Sequence, residues 1–213
     1  MDTPPPPQVI DAVRRLRARL PRHTGRCVLR EATTADGEAV HAYRSLPEVA
    51  LYLGHPPLSR EASVEWLSRK LDNPTAVSVA IVVDDTLIGD VLAWVRPCAA
   101  KAPAVTEEVE AGIGYAVHPS WQGRGLASEA VEAVVDLLVT EVGVRRITSR
   151  VFAPAAASSR LLERIGFVRE GIERQSMLAP DGQTWWDDEW WSLLRPGRPG
   201  RAVAAPEPVR RLL

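Results

Sequence analysis

Sulfur is scarce in this chain: 213 residues include two cysteines and two methionines. Cys27 and Cys98 do not suggest a disulfide framework, and neither has a neighbour at metal-ligand spacing, so no metal site is expected. A reducing, intracellular location is the simplest reading. No apolar run reaches membrane-spanning length. The opening MDTPPPPQVID lacks the charged-then-apolar layout of a secretory leader. These absences predict a soluble, cytoplasmic protein with no membrane partner. Phenylalanine is also rare, at two residues against seven tryptophans, but that imbalance does not set a class. No internal repeat is visible.

What is present suffices for one domain with a proper core, since 46% of residues are apolar. The net charge of −1 is unevenly spread: residues 1–26 carry +4 and residues 195–213 carry +4, leaving −9 for 27–194. An acidic centre favours cationic ligands and argues against nucleic acid as the main partner, although acidic surfaces also simply keep domains soluble. Residues 1–26 read as a basic extension with a short amphipathic helix through Ile10, Val13, Leu16 and Leu20, which packs on the domain in the preferred reading and otherwise touches a partner or an anionic surface. Residues 196–213 read as a Pro/Gly/Arg-rich tail with little order. The domain proper spans 27–195.

Within it the hydrophobic period alternates. CVLREA reads as a strand, followed by a helix after Asp36 and a second helix over roughly 60–71, capped by Ser59. AVSVAIVV, DDT and LIGDVLAWV form a predicted hairpin. EVEAGIGYAV is a strand, LASEAVEAVVDLLVTEV a helix stopped by Gly143, and RRITSRVF a strand. A short helix at SSRLLERI and two strands, GFVREGIER and TWWDDEWWSLL, close the order β-α-α-β-β-β-α-β-α-β-β. This is an α/β or α+β domain with a mixed sheet flanked by helices.

The stretch HPSWQGRGLASEA at 118–130 carries the chemistry. A strand ends, the chain turns through Gly123 and Gly125, and a helix begins near Leu126. Such a turn aims consecutive N–H groups into one concavity at the positive end of a helix, a nest suited to a diphosphate. A P-loop would need a lysine and a hydroxyl residue after the last glycine, where Leu126 and Ala127 stand. A dinucleotide fingerprint is met only loosely, through Ser128, and belongs at the first strand of its unit. The pattern Gln/Arg-x-x-Gly-x-Gly/Ala is filled by Gln122, Gly125 and Ala127.

With LREAT at 29–33, LPEVALYLG at 46–54, LIGDV at 87–91, IGYAVHPSWQGRGLASEA at 113–130, SSRLLERIGFVREG at 158–171 and DDEWWSLL at 187–194, the chain resembles the GNAT N-acetyltransferase superfamily. The RimJ/RimL-type ribosomal-protein N-acetyltransferases are the branch it resembles most. The resemblance implies a mostly antiparallel sheet of six to seven strands, splayed at a central parallel pair. It implies acetyl-CoA as co-substrate, with its diphosphate held by the backbone of Gln122, Gly123, Arg124, Gly125, Leu126, Ala127 and Ser128. Val117 would hydrogen-bond the pantetheine through its backbone. The side chain of Arg124 either adds charge or is solvated. Ser158 falls where the branch uses serine near the sulfur, and it also reads as an N-cap for a helix over 159–165. Arg160 and Arg164 either face the 3′-phosphate or lie on the surface.

Three positions depart from the family pattern. Ala155 replaces a CoA-contacting asparagine, Leu162 replaces a tyrosine acid, and Gly112 replaces a glutamate. Glu110 is the nearest substitute base, on the same strand face but about 7 Å further off. At the acceptor end the resemblance places His55, either functional or an incidental loop histidine, and aligns Asp187 with the family's usual aspartate, either structural or acceptor-binding. Strand alternation separates Trp185, Asp187, Glu189 and Trp191 from Trp186, Asp188 and Trp190, so that Asp188 is the other acceptor candidate. His118 is a poor candidate base. The expected acceptor is a primary amine, either a peptide N-terminus or a small molecule such as a polyamine. Homodimerisation is an option within the family. The alternative is a non-catalytic module that binds acetyl-CoA and acts as a sensor or scaffold through its basic termini.

Overall fold

The computed structural model describes residues 4–102, 104 and 106–195. The basic tail at 196–213 lies outside the described residues. In chain order the elements are α1 (Pro7–Arg17), β1 (Arg22–His23), β2 (Val28–Glu31), α2 (Gly37–Arg44), α3 (Pro47–Ala50), α4 (Arg60–Leu71), β3 (Ala76–Val83), β4 (Thr86–Pro97) and β5 (Val109–Val117). They continue with α5 (Leu126–Asp136), β6 (Arg146–Phe152), α6 (Ala156–Arg164), β7 (Val168–Leu178) and β8 (Trp185–Leu194).

Local signals set most of these bounds. The Ser59 hydroxyl accepts from Ala62 N at 3.2 Å and starts α4. Asp84 and Asp85 take positive φ values of 46° and 60°, as a tight hairpin between β3 and β4 requires. A wider helical turn, Leu137–Val142, extends α5 until Gly143 ends it at φ 78°.

The sheet has eight strands in the order β1-β2-β3-β4-β5-β6-β8-β7. All neighbours are antiparallel except β5 and β6. The strand beyond the expected six to seven is β1, whose two residues pair with Val28 and Leu29. On one face α1, α5 and α6 bury Val13, Leu16, Val131, Val134 and Leu162 against Val91, Ile113, Ile147 and Trp191. On the other, α2, α3 and α4 bury Val40, Tyr43, Val49 and Leu67 over Ala80 and Ala116. The extension is therefore part of the domain's core, because α1 puts Val9, Ala12, Val13 and Leu16 into it. No helix among the described residues is long and apolar enough to cross a membrane.

Candidate functional site

The parallel pair β5–β6 is joined over a single short stretch. Ala111 pairs with Ile147 and Gly112 with Thr148, and the ladder then stops although both strands run on. Side chains pin the vertex: Thr148 Oγ1 donates to Ala111 O at 3.3 Å and Ser149 Oγ to Ile113 O at 3.1 Å. Beyond it a V opens between Gly114–Val117 and Arg150–Phe152. Ladder alternation turns the main-chain groups of Val117 into this gap, because His118 N donates to Ile88 O on the other side. The Val117 carbonyl is already taken by Gln122 Nε2 at 2.8 Å, which leaves its N–H for a ligand.

The glycine turn lies at the mouth of the V. Pro119–Trp121 form one 3-10 turn, with His118 Nδ1 accepting from Ser120 N at 3.1 Å, so His118 acts as a local cap. Gly123 and Gly125 follow at φ 72° and 78°, and α5 starts at Leu126 without a side-chain cap. The N–H of Gln122, expected among the donors, is instead used within the 3-10 turn, donating to Pro119 O at 3.1 Å; among the described residues, no acceptor meets the main-chain N–H groups from Gly123 through Ser128. The Arg124 guanidinium stands 5.1 Å from the centre of the Trp121 ring, and Arg164 Nη1 reaches Ser128 Oγ at 3.4 Å from the end of α6. The loop thus combines free donors, a helix N-terminus and two nearby arginines, a donor set that fits a diphosphate.

Across the V stands α6. Its N-cap is Ala155, with no side-chain cap, and the helix begins at Ala156. Ser158 therefore lies inside the first turn and is not the N-cap of a helix over 159–165. Its hydroxyl is bonded to no described residue, whereas the neighbouring Ser159 hydroxyl donates to Glu189 Oε2 at 2.6 Å. Tyr115 OH crosses from β5 to Ser158 O at 3.3 Å, and burial pushes its pKa up to about 12, so it stays protonated. Leu162 is fully buried in the core, and Arg160 is exposed.

The face under α2–α4 holds the remaining candidates. Trp94 on β4 lies over β5: a Cβ at Gly112 would stand 2.1 Å from Trp94 Cε2, and one at Gly114 would be 3.9 Å from Cζ3. The indole fills the space a side chain at 112 would need. Glu110 lies on the closed side of the vertex, bound to Arg96 Nε at 2.7 Å with Arg146 Nη1 at 3.9 Å. Asp188 is buried beside the gap, in register with Phe152. Its Oδ2 meets Arg150 Nη2 at 2.5 Å, its Oδ1 has no partner among the described residues, and burial pushes its carboxyl up against the pull of Arg150. Asp187 instead accepts from Gln175 N at 2.8 Å and holds an irregularity in the β7–β8 ladder. Trp186 packs on Phe152 and Tyr52, with ring centres 6.0 and 5.9 Å apart.

His55 has both ring nitrogens engaged, Nδ1 with Pro56 O at 2.8 Å and Nε2 with Arg44 Nη1 at 3.0 Å. Burial holds its pKa below the usual histidine value. Arg44 in turn grips Asp90 at 2.7 and 2.8 Å, beside a hydrogen bond from Tyr43 OH to Asp90. His55 is thus tied into a buried network that joins α2 to β4.

Sequence reasoning missed Tyr115, Ser149, Trp94 and Arg150. Strand alternation could have put Tyr115 on the α5–α6 face. Nothing in the chain order signals that Trp94 covers Gly112.

The model of the Acetyltransferase (GNAT) domain matches residues 26–168. An uncharacterized N-acetyltransferase of Bacillus subtilis, YoaA, is 31% identical over 182 residues, covering 81% of this chain and 96% of that protein. The L-amino acid N-acetyltransferase AaaT of Escherichia coli is 25% identical, covering 71% of this chain and 88% of its own. Among solved structures, RimL, a ribosomal L7/L12 alpha-N-protein acetyltransferase in complex with coenzyme A, superposes with a TM-score of 0.67 at 20% identity, over 82% of this chain and 97% of that one. That likeness shows the fold.

Proposed function

The chain belongs to the GNAT family of N-acetyltransferases, and on that premise we propose that it acetylates an α-amine, using acetyl-CoA as donor. The observation that carries this reading is the run of free N–H groups from Gly123 through Ser128 at the mouth of the splayed β5–β6 pair. Acetyl-CoA supplies the activated acyl carbon, with its thiol as leaving group. The loop holds the diphosphate, and Val117 N–H holds the pantetheine between the strands. Ser158 offers its unbonded hydroxyl to the sulfur, and Tyr115, protonated at neutral pH, steadies the first turn of α6.

The acceptor enters over the opposite face, between Trp94 on one side of the V and Arg150 on the other. Glu110 is committed to two arginines on the closed side, so the reacting amine is the fraction that arrives already neutral. A peptide N-terminal amine with a pKa of about 7.8 is roughly one-tenth neutral at pH 7, against about one part in two thousand for a lysine amine near 10.4. The names of AaaT and RimL, for L-amino acids and for alpha-N-protein acetylation, point to α-amines in two relatives.

Purified protein with acetyl-CoA tests the reading by thiol release across L-amino acids, short peptides, polyamines and aminoglycosides. Release with the α-amines supports it. Release confined to polyamines or aminoglycosides overturns the acceptor class. Saturable CoA binding without release from any acceptor overturns the catalytic reading in favour of a binding module.

A further inference from the structure

The hairpin turn between β1 and β2 is built against the glycine loop. Thr24 and Cys27 close the turn on each other, with Thr24 N donating to Cys27 O at 2.9 Å and Cys27 N to Thr24 Oγ1 at 2.9 Å. Glu129, in the first turn of α5, receives Thr24 Oγ1 at 2.6 Å, Arg26 N at 2.6 Å and Arg26 Nε at 2.7 Å. With its other arm, Arg26 Nη1 donates to the main-chain oxygen of Arg124 at 2.7 Å. A Cβ on Gly125 would come within 3.3 Å of Arg26 Nη2, so the loop and the guanidinium are in direct contact.

This contact decides the direction of a donor. In a trans peptide the C=O of one residue and the N–H of the next point in opposite directions. An Arg124 carbonyl held against the hairpin therefore turns the Gly125 N–H away from it, into the nest. The peptide needs that restraint, because it borders Gly125, whose φ is free to take either sign and let the unit turn over. Rotated over, it would present a carbonyl oxygen to an anion. Arg26 also neutralises Glu129, whose charge would otherwise stand uncompensated one turn from a bound diphosphate.

We infer that Arg26 is a positioning residue for the diphosphate: it acts through the Arg124 carbonyl to aim the Gly125 N–H at the ligand. The inference rests on the loop being the CoA site. Arg26 does not itself touch the ligand in this scheme.

The test compares wild type, Arg26→Ala and Arg26→Lys. Calorimetry gives the affinity for CoA, and thiol release gives kcat/KM for S-acetylpantetheine, which lacks the diphosphate. Loss of one charge-assisted restraint predicts CoA binding about ten- to hundredfold weaker in Arg26→Ala. Turnover of S-acetylpantetheine should stay within about twofold of wild type, and Arg26→Lys should recover part of the CoA affinity. Unchanged CoA affinity, or a parallel loss with both donors in both variants, overturns the inference. A wild-type protein that fails to bind CoA at all overturns instead the reading of the loop.

Discussion

Replacing Gly112 by alanine should change the sign of its effect on stability when Trp94 is removed. With Trp94 present, the new Cβ would lie 2.1, 2.3 and 2.4 Å from Cε2, Cζ2 and Nε1 of the indole. Carbon atoms in good contact sit at about 3.5–4.0 Å, so the ring would have to withdraw by roughly 1.5 Å or leave β5. Overpacking of this kind costs about 1–3 kcal/mol. In a Trp94→Ala background the clash is gone. Alanine in a strand interior is then better than glycine by about 0.5–1 kcal/mol, because glycine loses more backbone freedom on folding. Trp94→Ala alone should cost about 2 kcal/mol, roughly half the figure for a fully buried aromatic, since the indole is half-buried. Urea unfolding of the four proteins, followed by far-ultraviolet circular dichroism, closes the cycle. Equal shifts from Gly112→Ala in both backgrounds would refute the claim that the indole occupies that space. The same geometry predicts that a glutamate at 112 folds well only without Trp94.

Gly125→Val places a branched residue at φ 78° and a Cβ against Arg26. It should weaken CoA binding more than about tenfold in calorimetry while costing about 1–2 kcal/mol of stability, visible as a melting point lower by a few degrees. Ser158→Ala should lower kcat by about tenfold to hundredfold with KM for acetyl-CoA within about twofold, as measured by thiol release, if the hydroxyl serves the leaving sulfur. Glu129 is held below the usual glutamate pKa by Thr24 and Arg26, which outweigh its burial. Its contribution is complete above an unfolded value of about 4.3 and is lost as pH falls through the lower folded value. Glu129→Gln should therefore be less stable than wild type by about 1–2 kcal/mol at pH 7, and urea unfolding at pH 3 should find that gap narrowed.

Features that depend on neighbours in the chain were legible in the sequence. The Ser59 cap, the Asp84–Asp85 turn, the Gly143 stop and the paired glycines of the loop each signal a local backbone need. The alternation in TWWDDEWWSLL likewise separates Trp191, which is buried, from Trp190, which lies 4.3 Å from the Arg150 guanidinium. Ser158 shows where local reading fails. A helix can start at an uncapped Ala155, and a later serine then looks like the cap. Long-range pairs left no trace in the sequence: Trp94 with Gly112, Glu110 with Arg96 and Arg146, and Arg26 with Glu129. The helical spacing of apolar residues in the basic extension pointed to packing on the domain, and the inner side of α1 does share the core while its charge lies outside.

The charge of the central segment also misleads if it is read as one number. A surplus of nine negative charges over 27–194 suggests an acidic groove for a polycation. On the sheet face under α2–α4, however, the carboxylates on and beside the β5–β6 pair carry arginines. Glu110 faces Arg96 and Arg146, Glu170 binds Arg146, and Glu173 and Asp188 share Arg150. A polyamine would have to displace these partners one by one, and each truncated pair would leave an arginine without its anion. A single amine needs only one site of favourable charge. The Arg150 cluster offers that, because one guanidinium meets two carboxylates and leaves a net charge of about −1. Trp94, Trp186, Phe152 and Tyr52 add apolar surface around it. The face therefore suits one amino group on a largely apolar body, the demand that an α-amine acceptor makes and a polycation does not.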